Sequence, residues 1–461
     1  MNTALLINPP TPKGRKFTRN ISCAAESKGN YLLKPLDFTI LSGILKQKYQ
    51  VKFLDLVSKP MTMASTVEKI KSLKPSFVII AIIDTIFKND LNFLIKLKDE
   101  LPELEIYVLG DAFIEDKNCE KVAPYTRGII AEPFKVQVED FQFLRSNRPG
   151  FRDPETYKKI SKVPTELEIP TPMHELFDDK FYRWPFSKES RYATVTTVWG
   201  CPYSCSYCTA SNFPVHIRSV ENVINELKYI KNLKFKELYI TDLSFGLPLK
   251  RTITLLDEII KLQFNFSWST YFHPLQFNKK LLSKMKEAGC HTIIIGIETT
   301  NADILKKYSR NQNLTKIKEL INFCHSINIK VCGDFLIGLK EQNKDEVLMN
   351  IETSISLKLD YASFNIVAPL PGTVIKKEAQ SLAISSDSGV YYDSLGREGI
   401  IELQNWKKED ILMLRNSSIK KFYLRPLFLL KSVLKAGNIK SIRYQALEFL
   451  HLIRKTIFPS K

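Results

Sequence analysis

Three cysteines stand at the spacing CxxxCxxC in the run Cys201-Pro-Tyr-Ser-Cys205-Ser-Tyr-Cys208, directly after the apolar stretch Ala193 to Val198. Thiolates are metal ligands, and a complete iron–sulfur cluster normally takes four protein cysteines. Three leave one iron open, and an open coordination position is how a protein lets a substrate or cofactor bind a metal directly. The stretch therefore reads as a site of chemistry. A zinc site would want four ligands, commonly as two close pairs, and no second close pair occurs in the chain. The other cysteines, Cys23, Cys119, Cys290, Cys324 and Cys332, show no close metal spacing. Cys324 and Cys332 read as core-filling residues.

The elements that must hold this loop come in two alternating series. In the first, apolar runs at 4–7, 51–54, 77–83, 106–109 and 128–131 read as strands, and segments near 36–48, 64–73, 88–100 and 115–122 read as helices. Such alternation predicts a parallel sheet covered on both faces, the doubly wound Rossmann-like α/β arrangement. Ligands of such sheets bind beyond the carboxyl ends of the strands, where the sequence places Asn8-Pro9-Pro10, Asp55, Asp84-Thr85, Gly110-Asp111 and Glu132. No GxGxxG is present, so a dinucleotide is not indicated. Residues 141–190 are rich in proline and predict a linker crossing the surface. The second series, from Arg191 to about 375, places strands at 193–198, 236–241, 265–270, 291–297, 329–337 and 361–368, and functional residues of barrels lie at the carboxyl ends of their strands.

The cysteine spacing, with the aromatic Tyr207 before the last cysteine, resembles the signature of the radical SAM superfamily, in which the fourth iron of a 4Fe-4S cluster is chelated by S-adenosylmethionine. A Rossmann-like domain opening with Leu-Ile-Asn-Pro-Pro ahead of such a core is similar to the cobalamin-binding domain of cobalamin-dependent radical SAM enzymes. The resemblance implies a division into a cobalamin-binding domain at 1–140, a linker at 141–190, a partial (β/α)6 TIM barrel at 191–375 and a basic helical region at 376–461.

It also assigns residues. Cys201, Cys205 and Cys208 would hold the cluster, with Tyr207, Asp242, Glu298, Arg310, Gly338 and Pro369 around SAM. Glu298, in Gly296-Ile297-Glu298-Thr299, falls where a carboxylate accepts from the ribose hydroxyls, and Arg310 where it would pair with the SAM carboxylate. Asp242 has a second reading as a capping aspartate. Tyr271 and His273 are the catalytic candidates, with packed core aromatics as the alternative. Asn8, Pro9, Thr85, Gly110 and Glu132 would surround cobalamin. Gly110-Asp111 and Ala131-Glu132-Pro133 depart from the Gly-Gly and Gly-Glu of relatives, and no histidine precedes His174, so a corrinoid would lack a histidine ligand from the first domain. A degenerate domain that keeps the fold and has lost the ligand is the alternative.

The activity implied is methyl transfer from methylcobalamin to an unactivated carbon after hydrogen abstraction by a 5′-deoxyadenosyl radical. A radical cyclase, oxidoreductase or coupling enzyme, resembling the anaerobic magnesium-protoporphyrin cyclase family, is the alternative within the fold. A redox-sensing basic scaffold is the alternative outside it. The partners implied are a small-molecule or lipid substrate and an external electron donor such as flavodoxin or ferredoxin.

A chain of 461 residues, 44% hydrophobic and 25% charged, has the composition of a multi-unit globular protein. The start has no basic n-region, and no apolar run approaches a membrane span, so a cytoplasmic location is expected, and free cysteines suit a reducing compartment. The net charge of +18 is concentrated at the end: from Ile411 onward eleven Lys or Arg face one acid, Glu448. Such a tail suits an anionic membrane surface or is a cap packed on the barrel with a solvated outer face. No RNA-binding or helix-turn-helix signature accompanies the charge.

Overall fold

The structure, a computed structural model, describes residues 2–27, 31–141, 151–152, 162–178, 180–380, 406–426 and 428. Five strands, β1 (Thr3–Asn8), β2 (Gln50–Asp55), β3 (Pro75–Ala81), β4 (Ile106–Leu109) and β5 (Gly128–Ile130), form a sheet in the order β2-β1-β3-β4-β5. Every pairing is parallel. The strands are apolar on both faces because helices cover both. Leu6, Ile79 and Leu109 pack beneath α1 (Leu36–Leu45), while Leu5, Val78 and Val108 pack beneath α2 (Met63–Leu73), α3 (Phe87–Glu100) and α4 (Asp116–Val122). This is the doubly wound order whose ligand crevice opens between the first and third strands. A hairpin, Phe17–Asn20 with Cys23–Glu26, joins β1 to α1 and was not anticipated from the sequence pattern.

The second half is a six-stranded, all-parallel sheet in sequential order: β6 (Ala193–Val195), β7 (Glu237–Ile240), β8 (Ser267–Tyr271), β9 (Cys290–Glu298), β10 (Lys330–Ile337) and β11 (Tyr361–Ile366). Helices α5 (Val220–Asn232), α6 (Leu249–Lys261), α7 (Lys279–Glu287), α8 (Ala302–Lys307), α9 (Leu314–Ser326), α10 (Lys344–Ser356) and α11 (Val374–Gln380) follow the strands. Their starts are written locally. Ser219, Asn278, Asn301, Asn313 and Asn343 each accept from backbone N–H groups of the first turn, and Asn343 with Glu346 completes a capping box.

Two expectations are corrected. The predicted strand 193–198 is broken. Ala193–Val195 belongs to the large sheet, while Val198–Trp199 pairs with His216–Arg218, which pairs in turn with Thr165–Leu167. The cause is Asp242, whose Oδ1 accepts from the N–H groups of Thr197 (2.6 Å) and Val198 (3.1 Å) and takes the chain out of the ladder.

The proline-rich segment is not a surface linker where it is described. Phe177, Tyr182 and Trp184 are buried, and Trp184, Phe186 and Tyr192 pack with Tyr239, Tyr271, Ile294 and Cys332 on the face of the sheet opposite its helices. Residues 170–171 also lie so close to α1 that a Cβ on Gly43 would stand 2.2 Å from the Pro170 carbonyl oxygen. Proline removes ladder donors, but it does not oppose burial.

At the other edge, α12 (Lys408–Tyr423) packs on β10 and β11. The Tyr423 hydroxyl donates to Ala362 O at 2.7 Å and accepts from Ala362 N at 3.2 Å, satisfying both backbone groups of that residue on the edge strand β11. This part of the basic region is a cap, with Lys420 and Lys421 exposed on it. Residues 381–405, 427 and 429–461 of the predicted basic helical region lie outside the described residues. Cys324 and Cys332 fill the core as expected. Among the described residues, no helix is long and apolar enough to cross a membrane.

Candidate active site

The cysteine loop follows the break after β6 and is stitched down from several sides. Gly200 turns the chain at φ +78°, where a Cβ would stand 1.9 Å from Pro214 O. Lys162, from the connecting segment, donates through Nζ to Cys201 O (3.0 Å), Ala210 O (3.3 Å) and Phe213 O (2.8 Å), tying both ends of the loop together. Ser206 N donates to Tyr308 O after β9, and Ser206 O accepts from Val374 N after β11. Asn212 Nδ2 donates to Pro371 O at 3.3 Å. The loop thus belongs to the carboxyl end of the six-stranded sheet, as the alternation predicted.

Cys205 is buried, and Cys201 and Cys208 are partly buried. Burial pushes the Cys201 thiol up and the Cys208 thiol up to about 12, and the neighbouring cysteines add to both shifts. Among the described residues, no three His, Cys, Asp or Glu side chains are gathered closely enough to hold a single metal ion. A four-iron cluster is a larger body that takes its cysteines one per iron.

Beside the loop stands a charged network. Arg310 donates from Nη1 to Tyr207 Oη at 3.1 Å and approaches Cys205 Sγ at 3.6 Å, while its Nη2 donates to Gly296 O at 2.6 Å. The same Nη1 lies 3.6 Å from Glu298 Oε1. Glu298 sits at the end of β9 with φ +64°, and Gly296 leaves room for the pair: a Cβ there would stand 2.3 Å from Glu298 Oε1 and 2.5 Å from Arg310 Nη2. Burial raises the Glu298 carboxyl to about 7, against the pull of Arg310. Burial would depress the Arg310 guanidinium, but Glu298, Tyr207 and Cys205 raise it. Arg310 Nε and Gln312 Oε1 are buried without a hydrogen-bond partner, so the site keeps polar capacity for a ligand.

The other predicted residues divide. Asp242 spends its carboxylate on Thr197 and Val198, with Oδ2 taking the Thr197 hydroxyl at 2.6 Å, so it positions the cysteine loop as a cap. His273 stacks on Tyr203 of the loop with centroids 3.7 Å apart, and its Nδ1 accepts from Leu275 N. Burial and Arg310 lower its pKa to about 3, so it is neutral. Tyr271 packs among the aromatics of the inner sheet face. Gly338 has φ +96° and its N–H donates to Gln342 Oε1, while Pro369 is buried in the loop after β11. Sequence reasoning missed Lys162, Tyr203 and Gln312. Only the aromatic at position 203 inside the cysteine run was a local signal.

In the first half, Asn8 Oδ1, at the carboxyl end of β1, and Thr85 Oγ1, beyond that of the adjacent β3, are buried without a partner. Pro9 accepts through its carbonyl from Arg19. Gly110 has φ +144°, and a Cβ there would meet Ile82 O at 1.7 Å, so its small size serves the packing of the strand ends. Glu132 pairs with Lys135 (2.9 Å) and His216 (3.3 Å), the latter in the second half. Three loops of the first sheet meet the second half: Lys376 pairs with Asp84, Gly372 N donates to Glu115 Oε1 at 3.1 Å, and Phe134 packs on Trp199 with centroids 4.9 Å apart. Cys201 and Cys208 pack against a cluster that spans this seam, joining Phe134 and Val136 of the first half to Trp199, Ala210 and Phe213 beside the cysteine loop. A cavity of about 500 Å³ lies at the opposite, amino end of the first sheet, beside Ser76, Glu105 and Arg127, away from all of these groups.

Residues 195–353 match the Radical SAM superfamily. The chain is 26% identical over 418 residues, 87% of its length and 90% of the relative's, to an uncharacterized methyltransferase of Pyrococcus horikoshii. It is 24% identical to the cytidylyl-2-hydroxyethylphosphonate methyltransferase of Streptomyces wedmorensis over 60% of this chain and 56% of that one. In three dimensions it is similar to the radical S-adenosylmethionine methyltransferase TsrM of Kitasatospora setae, solved with cobalamin and a [4Fe-4S] cluster bound. That match has a TM-score of 0.64 at 13% identity and covers 100% of each chain.

Proposed function

We propose that this chain, a radical SAM enzyme by its family match and cysteine triplet, is a cobalamin-dependent methyltransferase acting on an unactivated carbon of a small-molecule or lipid substrate. The observation that carries the reading is the seam. The loop bearing Cys201, Cys205 and Cys208 lies where the carboxyl ends of both sheets meet, so groups bound to the two halves would face one another. The names of the relatives support it, since two are methyltransferases and the similar solved fold carries both cofactors.

The domain assignment follows. Residues 1–140 are the cobalamin domain, 191–375 the partial-barrel core and 376–461 a basic extension. When bound, the cluster and SAM supply a 5′-deoxyadenosyl radical for hydrogen abstraction, and cobalamin supplies the methyl group. The three cysteines each ligate one iron. Glu298 accepts from the ribose hydroxyls, while Tyr207 and Arg310 fix its carboxylate and Gln312 Oε1 offers a further acceptor. Gly338 and Pro369 border the adenine side. The unpartnered Asn8 Oδ1 and Thr85 Oγ1 fit a polar ligand in the crevice of the first sheet, with Pro9, Gly110 and Glu132 at its rim. No histidine of the first domain is available to cobalt. Radical chemistry of this kind needs a reductant, and a flavodoxin or ferredoxin suits that role. The basic stretch beyond Ile411 supports a peripheral contact with an anionic membrane.

The test is anaerobic reconstitution with iron, sulfide and hydroxocobalamin, followed by reduction in the presence of SAM. Formation of 5′-deoxyadenosine that disappears when all three cysteines become alanine, with stoichiometric base-off cobalamin retained, is the expected result. Cleavage that survives in the triple variant refutes the cluster assignment. A chain that retains no corrinoid at saturation refutes the methyltransferase reading.

A further inference from the structure

The middle cysteine has a guanidinium within reach of its sulfur. Arg310 Nη1 stands 3.6 Å from Cys205 Sγ, and Cys205 is 7% exposed. Lys162, the other cation at the loop, donates to backbone carbonyl oxygens. Arg310 is held from three sides, by Gly296 O, Tyr207 Oη and the Glu298 carboxylate, and its side chain is only 8% exposed. Gly296 permits this placement, because any side chain there would collide with both members of the pair. The guanidinium is therefore a fixed charge shared between a cluster ligand and a carboxylate.

We propose that Arg310 is a positioning residue that raises the reduction potential of the cluster held by Cys201, Cys205 and Cys208, and that Glu298 holds it in place and moderates its charge. The proposal rests on the radical SAM reading. One-electron reduction, by a low-potential donor, adds a negative charge to the unit of cluster and thiolates. A guanidinium stays protonated throughout, so its attraction to that unit is stronger in the reduced state. Charge and hydrogen bonds at the sulfurs are recognised means of setting such potentials, and burial strengthens them because the local dielectric is low. The Glu298 carboxylate, 3.6 Å from the same Nη1, opposes reduction in the same way. Two substitutions in one contact pair therefore have opposite signs, which a role confined to packing would not produce.

The experiment is a redox titration of the full chain, reconstituted with iron and sulfide and free of SAM, with dithionite and mediator dyes, followed by EPR of the reduced cluster in mildly alkaline buffer. Arg310→Met is expected to lower the reduced-to-oxidised ratio at fixed potential at least tenfold, a midpoint about 59 mV more negative for a one-electron couple. Arg310→Lys, which keeps a charge, shifts it less in the same direction, and Glu298→Gln shifts it positive. An unshifted midpoint in Arg310→Met with full iron content overturns the proposal, as do equal shifts in Arg310→Met and Arg310→Lys. If Arg310→Met loses its iron, the remaining two variants decide: shifts of opposite sign support the proposal, and shifts of one sign overturn it. A wild-type chain that takes up no cluster refutes the radical SAM reading itself, which separates the two failures.

Discussion

Trp184 lies flat on Tyr239, with ring centroids 3.7 Å apart and 14° between the planes, and its Nε1 donates to Ser269 Oγ at 2.6 Å. A residue of the proline-rich connection thus stacks on β7 and hydrogen-bonds to β8. Tyr182, two residues earlier, donates to Asp55 Oδ2 at 2.5 Å at the end of β2. The connection joins the two halves through their cores.

Trp184→Ala is therefore expected to destabilise the chain by ~3–5 kcal/mol, the range for deleting a buried aromatic. Val163, in the same connection but 70% exposed, should tolerate alanine within about 0.5 kcal/mol. Chemical denaturation of the metal-free protein checks both. Equal midpoints for the two variants would mean that the connection is a dispensable surface strap.

The charged network beside the cysteines makes a second prediction. Glu298→Ala should weaken SAM binding by roughly 1.5–3 kcal/mol, the scale of hydrogen bonds to a charged group, with iron content unchanged. Gly296→Ala should have a similar effect, because the added methyl would stand within 2.5 Å of both Glu298 and Arg310. Equilibrium dialysis with SAM reads this out, and unaltered affinity in both variants would place the ribose elsewhere.

The division between what was legible in the sequence and what was not has a physical basis. Periodic apolar runs located all eleven strands of the two large sheets, since burial on both faces leaves a continuous local signal. The cysteine spacing and the Gly296–Glu298 turn were legible for the same reason: the constraint is local. The break after β6 was not, because it depends on Asp242, 45 residues from Thr197 in sequence. Nor was the approach of Arg310 to Cys205, which are 105 residues apart. The connecting segment was misjudged because proline content reports on lost donors, whereas burial there is decided by Phe177, Tyr182 and Trp184.

Asp37 offers a test in pH. It lies in the first turn of α1, 1% exposed, with Oδ2 accepting from Ile21 N at 2.7 Å and Oδ1 unpartnered. Burial raises its carboxyl from 3.8 to about 7. The folded state then holds the proton more tightly than the unfolded one. Its contribution to stability is present at low pH and is lost as pH rises towards 7. Asp37→Asn removes that slope while keeping an acceptor for Ile21. The stability of the variant relative to wild type should therefore increase by roughly 2–3 kcal/mol between about pH 5 and about pH 8. Denaturation curves that run parallel across that interval would contradict it.

The seam between the halves supplies the last prediction. Lys376, on α11, pairs with Asp84 beyond β3, and Asp84 also accepts from Asn118 Nδ2 at 3.2 Å, while its own N–H donates to Asp111 Oδ1 at 3.0 Å. Burial raises both carboxyls, and Lys376 opposes the rise. Removing one partner leaves a buried charge uncompensated, which costs about 3–5 kcal/mol, whereas removing both can be close to neutral. Lys376→Met and Asp84→Asn should each destabilise the chain, and the double variant should recover, with a coupling of ~1–3 kcal/mol in a double-mutant cycle. Because this pair ties α11 to the crevice proposed for cobalamin, each single variant should also retain less hydroxocobalamin per chain while keeping its iron. Additive effects on stability, or corrinoid retention unchanged in both single variants, would show that the Lys376–Asp84 pair does not hold the two halves in register.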